Sequence, residues 1–244
     1  MKAIILAAGR GSRLGNYTKK IPKALVDING KSLIERQIHL FQKNGITEIF
    51  IVRGYMKEKF NLDNIEFIDD DGYANHDQLG SLIAAQEKIS GEVLILFADL
   101  VFDENILHQI LDTNEDISLA LDLDWQRNYD GQKNNQFPAL AEIENNRIIR
   151  LSEKEDLVRN NFCGEFFGIL KLSSRGSEIL NEIIDKNKNY KNQFHDSASF
   201  NVAKLPDIIQ EIIGSDIIVR PIFIQGKWIE IDTPKDLEKA KNLF

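Results

Sequence analysis

Residues 3–8, Ala-Ile-Ile-Leu-Ala-Ala, form an unbroken apolar run that stops at Gly9. A run without alternating polar positions fits a strand covered on both faces, as in a parallel sheet. The same pattern recurs at residues 48–52 before Gly54, and at 93–97 before Ala98-Asp99. Between these runs the apolar spacing changes to three and four. Leu33, Ile34, Ile38 and Phe41 share one face of a helix over 33–43, stopped by Asn44-Gly45. Residues 79–90 read as a second helix closed by Gly91, 104–111 as a third, and 117–123 as the next strand. Strands alternating with helices predict βαβ units and a mainly parallel sheet.

The pattern loosens after Trp125. Residues 126–136 are polar and asparagine-rich, which predicts an exposed loop. Residues 139–144 and 147–151, joined by Asn145-Asn146, suggest a hairpin, and 162–172 another strand. Helices are expected over 178–186 and 205–213, a strand over 217–224, and a closing helix over 234–243 behind an Asp-Thr-Pro cap. Neither an internal repeat nor a linker divides the chain.

Composition narrows the function classes. The chain has 244 residues, a length that suits one large α/β domain. Its 30 Lys and Arg against 38 Asp and Glu give a net charge of -8, the wrong sign for a general nucleic-acid binder. One cysteine, Cys163, excludes an internal disulfide and a cysteine-cluster metal site. No apolar run approaches the roughly 18–20 residues of a membrane helix. The six-residue run after Lys2 is shorter than the about 7–15 residues of a signal-peptide core. The expectation is a cytoplasmic protein with neither nucleic acid nor membrane as partner.

The most informative segment is Leu6-Ala7-Ala8-Gly9-Arg10-Gly11-Ser12-Arg13-Leu14, followed by Pro22-Lys23-Ala24-Leu25. Small residues let backbone N–H groups approach a phosphate closely. Arg13 offers a fork of donors to phosphate oxygens and Lys23 a point charge. The dinucleotide fingerprint fails, because Leu14 stands where its third glycine belongs. A Walker loop ending at Gly30-Lys31-Ser32 fails too, because its first glycine falls on Leu25. A bare Gly-x-Gly would be only a strand-to-loop connection. The ordered string of strand, glycine loop, arginine and Pro-Lys favours phosphate binding.

This string resembles the nucleotidyltransferase family of sugar-phosphate nucleotidylyltransferases and phosphocholine cytidylyltransferases. Their pattern is Leu-Ala-Ala-Gly-x-Gly-x-Arg-Leu followed by Pro-Lys-x-Leu. The resemblance implies a Rossmann-like, three-layer α/β/α fold, its mixed and mostly parallel sheet carrying a small β elaboration for an acceptor. It implies one domain over 1–244, with a nucleotide-binding half (1–124) and an acceptor-binding, metal-completing half (125–244). The loop, through Leu6, Ala7, Ala8, Gly9, Gly11 and Ser12, would wrap a nucleoside triphosphate, with Arg13 and Lys23 as the catalytic cations on its phosphates. The segment from Tyr73 to Leu82 would approach the nucleobase through His76, Gly80 and Ser81. Related cytidylyltransferases tend to carry paired asparagines near there; this chain has His76-Asp77. His39, His108 and His195 show no metal or catalytic spacing.

Acidic residues supply the remaining chemistry. Asp99 ends the third buried run, and carboxyl ends of parallel strands are where ligands sit in open α/β sheets. A strand over Trp228-Ile229-Glu230-Ile231-Asp232 would put Glu230 and Asp232 on one face. Carboxylates converging on a triphosphate need a cation, usually Mg²⁺. By spacing alone Asp99 is equally a turn or helix cap, and Asp232 equally the cap of the last helix. The resemblance makes Asp99 and Asp232, with Glu230 beside them, the Mg²⁺ ligands. Asp122-Leu123-Asp124 has the Asp-x-Asp form of nucleotide-sugar glycosyltransferases, but those enzymes lack the glycine loop. Asp122 and Asp124 are expected to face the acceptor or solvent.

A finer resemblance runs through residues 121–125, 164–169, 219–221 and 226–233. It is to nucleotidyltransferase domains of phosphonate biosynthesis, which cytidylylate small phosphonates. It implies transfer of a nucleotidyl group, CMP by expectation, to aminoethylphosphonate, hydroxyethylphosphonate or phosphocholine. A small anionic acceptor needs a cation, and Lys154 is the candidate, ahead of Arg150. An amine on the acceptor would pair with Glu165, Asp122 or Asp124, and Trp228, Trp125, Phe162 or Phe166 would add a cation–π wall. For any single aromatic, core packing is the first expectation. A sugar-1-phosphate nucleotidylyltransferase and a non-catalytic nucleotide sensor are the alternatives, and a monomer or homodimer is expected.

Overall fold

A computed structural model of the chain describes residues 1–127, 137–154 and 162–244. Residues 128–136 of the expected polar loop lie outside the described residues. The strands are β1 (Lys2–Ala7), β2 (Asp27–Ile28), β3 (Lys31–Ser32), β4 (Glu48–Arg53), β5 (Glu66–Asp69), β6 (Val93–Phe97), β7 (Leu100–Phe102), β8 (Ile117–Asp122), β9 (Leu140–Glu144), β10 (Arg147–Ser152), β11 (Cys163–Leu172), β12 (Arg220–Phe223) and β13 (Trp228–Glu230). The helices are α1 (Leu33–Lys43), α2 (Gln78–Ala84), α3 (Glu104–Leu111), α4 (Ser174–Asn187), α5 (Leu205–Gly214) and α6 (Pro234–Leu243).

Nine strands form the main sheet, in the order β10-β9-β11-β6-β1-β4-β5, with β8 and β12 joined through β11. β1 pairs in parallel with both β4 and β6, placing Lys2 opposite Glu48 and Val93. β5 extends this parallel block, whereas β11 runs antiparallel to β6, β8 and β9. The sheet is therefore mixed and mostly parallel around β1, with the antiparallel elaboration at the other side.

Alternation along the strands builds the two covering layers. Ile4 and Leu6 face one core with α2, α4 and α5; Ala3, Ile5 and Ala7 face the other with α1 and α3. Together the two cores make the three-layer α/β/α architecture. A third cluster joins Leu14, Val26, Ile28, Leu33, Val101, Ile231 and Leu237. It packs the end of the glycine loop against α6 and the β13 side. Leu14 is fully buried there, and burial of such a side chain is worth roughly 1.5–3 kcal/mol.

Several boundaries differ from the sequence expectation. The helix expected over 79–90 stops at Ala84, and a 3-10 turn over Gln86–Lys88 completes the stretch. α4 begins at Ser174 because the Ser173 hydroxyl accepts the Gly176 N–H at 3.1 Å. β5 and β7 were not anticipated. β7 is three residues long and, among the described residues, pairs only with β13, so no local period announces it. Among the described residues no helix is long and apolar enough to cross a membrane.

Candidate active site

The loop after β1 is shaped by backbone conformation. Ala8 C=O accepts the Tyr55 N–H at 3.0 Å, which ties the strand end to the neighbouring crossover. Gly11 adopts φ +66, and a Cβ built on it would lie 2.6 Å from Lys23 Cβ. Glycine here serves both the left-handed turn and the close approach of the lysine stem. Gly11 C=O accepts from Thr18 Oγ1 at 2.9 Å, closing the turn over the buried threonine. Pro22 then sits in an extended conformation and aims Lys23 inward.

Lys23 Nζ lies 2.6 Å from Asp99 Oδ2 and 2.7 Å from Asp232 Oδ1. Arg13 Nη2 meets the same Asp232 oxygen at 2.8 Å. Lys23 and Asp232 are 209 positions apart in sequence. The β7–β13 ribbon closes this distance by pairing Glu230 with Leu100, and the Ile231 N–H donates to Asp99 C=O at 3.0 Å. Burial opposes the Lys23 charge, but the carboxylates of Asp99, Asp232 and Glu230 and the hydrogen bond to Asp232 outweigh it. They hold the ammonium above the ordinary lysine range.

Helix caps do not account for the acidic residues. α3 is capped by Asp103 and α6 by Thr233, so neither Asp99 nor Asp232 is an N-cap. Asp99, Glu230 and Asp232 each bring a carboxylate oxygen within 4.8 Å of the others. Asp99 Oδ1 is buried and has no hydrogen-bond partner. A hard-oxygen set with one unsatisfied buried oxygen fits a divalent cation such as Mg²⁺.

Two cavities meet at this cluster. A cleft of about 270 Å³ is lined by Leu6, Ala7, Ala8, Gly9 and Gly11 on one side, and by Tyr73, His76 and Ser81 on another. Ser12 is exposed and outside this lining, and Gly80 packs behind His76 rather than on the cleft wall. A larger cavity of about 640 Å³ carries Phe166, Phe167 and Trp228 with Glu153, Glu165 and Lys204. Arg13, Asp77, Gln78, Phe97 and Glu230 line both.

Two acceptor-binding expectations, for Lys154 and Asp122, are corrected. Lys154 Nζ pairs with Asp196 Oδ1 at 2.7 Å and is not on the cavity wall. Lys204, whose Nζ is 2.5 Å from Glu153 Oε2, supplies a cation on that wall instead. Asp122 is buried and accepts the Trp228 indole N–H at 2.9 Å and the Asp124 N–H at 2.8 Å. It orients Trp228 rather than facing the cavity, and Asp124 is exposed outside the lining. Trp125 is buried against Phe137, and Phe162, largely exposed, stacks edge-on with Phe223.

A family model of the MobA-like NTP transferase domain matches residues 3–127, just over half of the chain. The chain belongs to this family. It is a nucleotidyltransferase. The CTP:phosphoglutamine cytidylyltransferase of Campylobacter jejuni is 27% identical over 259 residues, covering 98% of each chain. The bifunctional protein GlmU of Methanococcus vannielii is 29% identical over 258 residues, covering 100% of this chain and 55% of GlmU. The chain thus spans about half the length of that relative. The solved CTP:phosphocholine cytidylyltransferase of Streptococcus pneumoniae shares the fold, with TM-score 0.73 and 23% identity over 99% of this chain and 97% of that one.

In this nucleotidyltransferase two buried polar residues behind the site escaped the sequence reading. Gln37 is 2% exposed, and its Nε2 donates to Phe97 C=O at 2.9 Å and Leu100 C=O at 2.8 Å, bracketing the turn that carries Asp99. Its only signal was a polar residue beside the apolar face of α1. Asp70, buried between His76 and Ser81, looked like one more charge in Asp69-Asp70-Asp71.

Proposed function

We propose that this nucleotidyltransferase moves a cytidylyl group from CTP to a phosphate or phosphonate oxygen of a small acceptor, with release of pyrophosphate. The observation that carries the reading is the meeting of two cavities at one cluster of Arg13, Lys23, Asp99, Glu230 and Asp232. One cavity is walled by the small residues of the glycine loop, as a triphosphate site requires. The other offers Glu153, Glu165 and an aromatic wall, which suits an acceptor with a cationic end, such as aminoethylphosphonate or phosphocholine. Two relatives with CTP in their names, one matched end to end, support the choice of nucleotide.

The acceptor oxygen is already anionic at neutral pH, so no general base is needed. It attacks the α-phosphorus; the new P–O bond forms as the bond to the pyrophosphate oxygen breaks, and the electron pair leaves with pyrophosphate. Arg13 and Lys23 stabilise the charge on the phosphates, and Phe97 helps divide the two substrates at the junction. Asp99, Glu230 and Asp232 would hold Mg²⁺, which when bound supplies charge neutralisation to the triphosphate. In this reading residues 1–124 supply the nucleotide site and 125–244 the acceptor wall and the late carboxylates, within one domain.

The test is pyrophosphate release with Mg²⁺ and each of CTP, UTP, GTP, ATP and dTTP, against phosphocholine, aminoethylphosphonate, hydroxyethylphosphonate and sugar 1-phosphates. Release with CTP and a phosphonate or phosphocholine supports the proposal. Release only with a sugar 1-phosphate replaces it by the sugar-1-phosphate reading.

A further inference from the structure

Behind the wall of the nucleotide cleft lies a carboxylate that the proposed mechanism does not use. Asp70 follows β5 and is 3% exposed. Its N–H donates to Arg53 C=O at 2.9 Å, which continues the β4–β5 ladder by one rung and fixes the side chain's origin. Its two oxygens are divided between two residues of the cleft wall. Oδ1 is 2.9 Å from His76 Nε2, and Oδ2 accepts from Ser81 Oγ at 2.7 Å.

This arrangement decides what each partner has left to offer. His76 Nδ1 lies 3.0 Å from Asp77 C=O, so both ring nitrogens already face acceptors of the protein's own. His76 thus lines the cleft with both ring nitrogens engaged within the protein. It is held close to α2, because a Cβ at Gly80 would stand 2.2 Å from His76 Cγ. Ser81 has a single hydroxyl proton, and a carboxylate accepts but never donates. With that proton committed to Asp70, the Ser81 oxygen shows the cleft only lone pairs.

We propose that Asp70 is the positioning residue for base selection, making Ser81 an acceptor-only contact beside the flat His76 ring. Such a contact takes a base that presents an amino donor, as the exocyclic amine of cytosine does, and rejects one that presents a carbonyl oxygen there, as uracil does. The inference rests on the reading of the cleft as a nucleotide site, and it ties the base to particular atoms of this chain. A site whose polar group is left facing a like group loses affinity, because neither atom finds a partner.

The experiment compares CTP and UTP binding by titration calorimetry, in wild type and in the variants Asp70→Ala, Ser81→Ala and Gly80→Ala. Wild type is expected to favour CTP at least about tenfold. Asp70→Ala removes both acceptor oxygens and frees the serine proton to point into the cleft, and the CTP-to-UTP ratio should fall by about tenfold or more. Ser81→Ala should lower the ratio by the same amount, and it carries the test if the buried Asp70→Ala change prevents folding. Gly80→Ala displaces the His76 ring and should weaken both nucleotides together with little change in the ratio. A purely structural role for Asp70 would lower thermal stability and leave the ratio intact. Wild-type binding with unchanged ratios in Asp70→Ala and Ser81→Ala overturns the inference while leaving the cleft a nucleotide site. Equal affinity of wild type for the two also overturns it. Failure of wild type to bind any triphosphate overturns the reading of the cleft and this inference with it.

Discussion

The two cavities of this protein are built by opposite means. One side of the smaller one is formed by backbone and small side chains of a continuous stretch, Leu6 to Gly11, and its cations Arg13 and Lys23 come from the chain just after it. The larger one is walled by long side chains that converge from β11, β13, the start of α5 and the turn after β10. Backbone N–H groups can serve any triphosphate, since they see only phosphate oxygens. Side chains can be exchanged one at a time, so the wall they form can be retuned to a different acceptor without disturbing the loop. The general and the variable parts of the reaction are thus separated in space, and the acidic cluster belongs to both.

The largest expected effects lie at the shared cluster. Lys23→Met should lower kcat by about 10²–10³-fold, as removal of one preorganised charge-stabilising group does elsewhere. It also leaves Asp99, Glu230 and Asp232 without their ammonium, at a cost of up to about 3 kcal/mol in the metal-free protein. Thermal denaturation should show a lowered midpoint that added Mg²⁺ partly restores; no effect of Mg²⁺ on either protein would argue against the cation site. The pH dependence follows from the sign of the shift. A lysine held above its unfolded value of about 10.4 contributes its full stabilisation below that value and loses it as pH rises toward the native one. The stability difference between wild type and Lys23→Met should therefore stay flat from about pH 6 to 10 and shrink only above that.

Next in size are changes confined to one cavity. Glu165→Gln should raise KM for an amine-bearing acceptor by about tenfold, with KM for the triphosphate unchanged. Equal changes in both would break the proposed division between the cavities. Leu14→Ala tests the opposite side, because Leu14 clamps the end of the loop against α6. It should cost about 2–4 kcal/mol in chemical denaturation and weaken triphosphate binding through a looser loop.

Legibility from sequence follows the same division. The strand-and-helix alternation and the glycine loop were readable because their determinants are contiguous: apolar runs, a Gly-x-Gly turn, an arginine two positions on. Asp99 was readable as the end of a buried strand. Glu230 and Asp232 needed the family resemblance, since only the β7–β13 pairing brings them to Asp99. The acceptor wall was mostly illegible, because its members are adjacent only after folding. Lys204 sits at the cap position of α5, where nothing in the sequence marks it, while Asp122 is a hydrogen-bond partner for the Trp228 indole. Asp70 and Gln37 were hidden by context, one in an acidic run and one among helix polar positions.

The smallest effect discriminates between two neighbouring lysines. Lys154 pairs with Asp196, whose carboxyl burial would raise but which hydrogen bonds from Lys154 and Ser152 hold below the usual aspartate range. With the Lys154 side chain more than half exposed, such a pair is worth about 0–1 kcal/mol. Lys154→Ala should therefore change acceptor KM less than about twofold and stability by under about 1 kcal/mol. Lys204→Ala removes a cation from the cavity wall and leaves Glu153 unpaired beside the acceptor. It should change acceptor KM by about three- to tenfold, in a direction that reports the acceptor's charge: a rise if its distal end is anionic or zwitterionic, a fall if it is purely cationic, because the freed Glu153 then gains a partner. Steady-state kinetics on the two variants with phosphocholine and with aminoethylphosphonate measure this directly. A larger effect at Lys154 than at Lys204 would return the acceptor's anion to the 152–154 turn and put the cavity boundary in the wrong place.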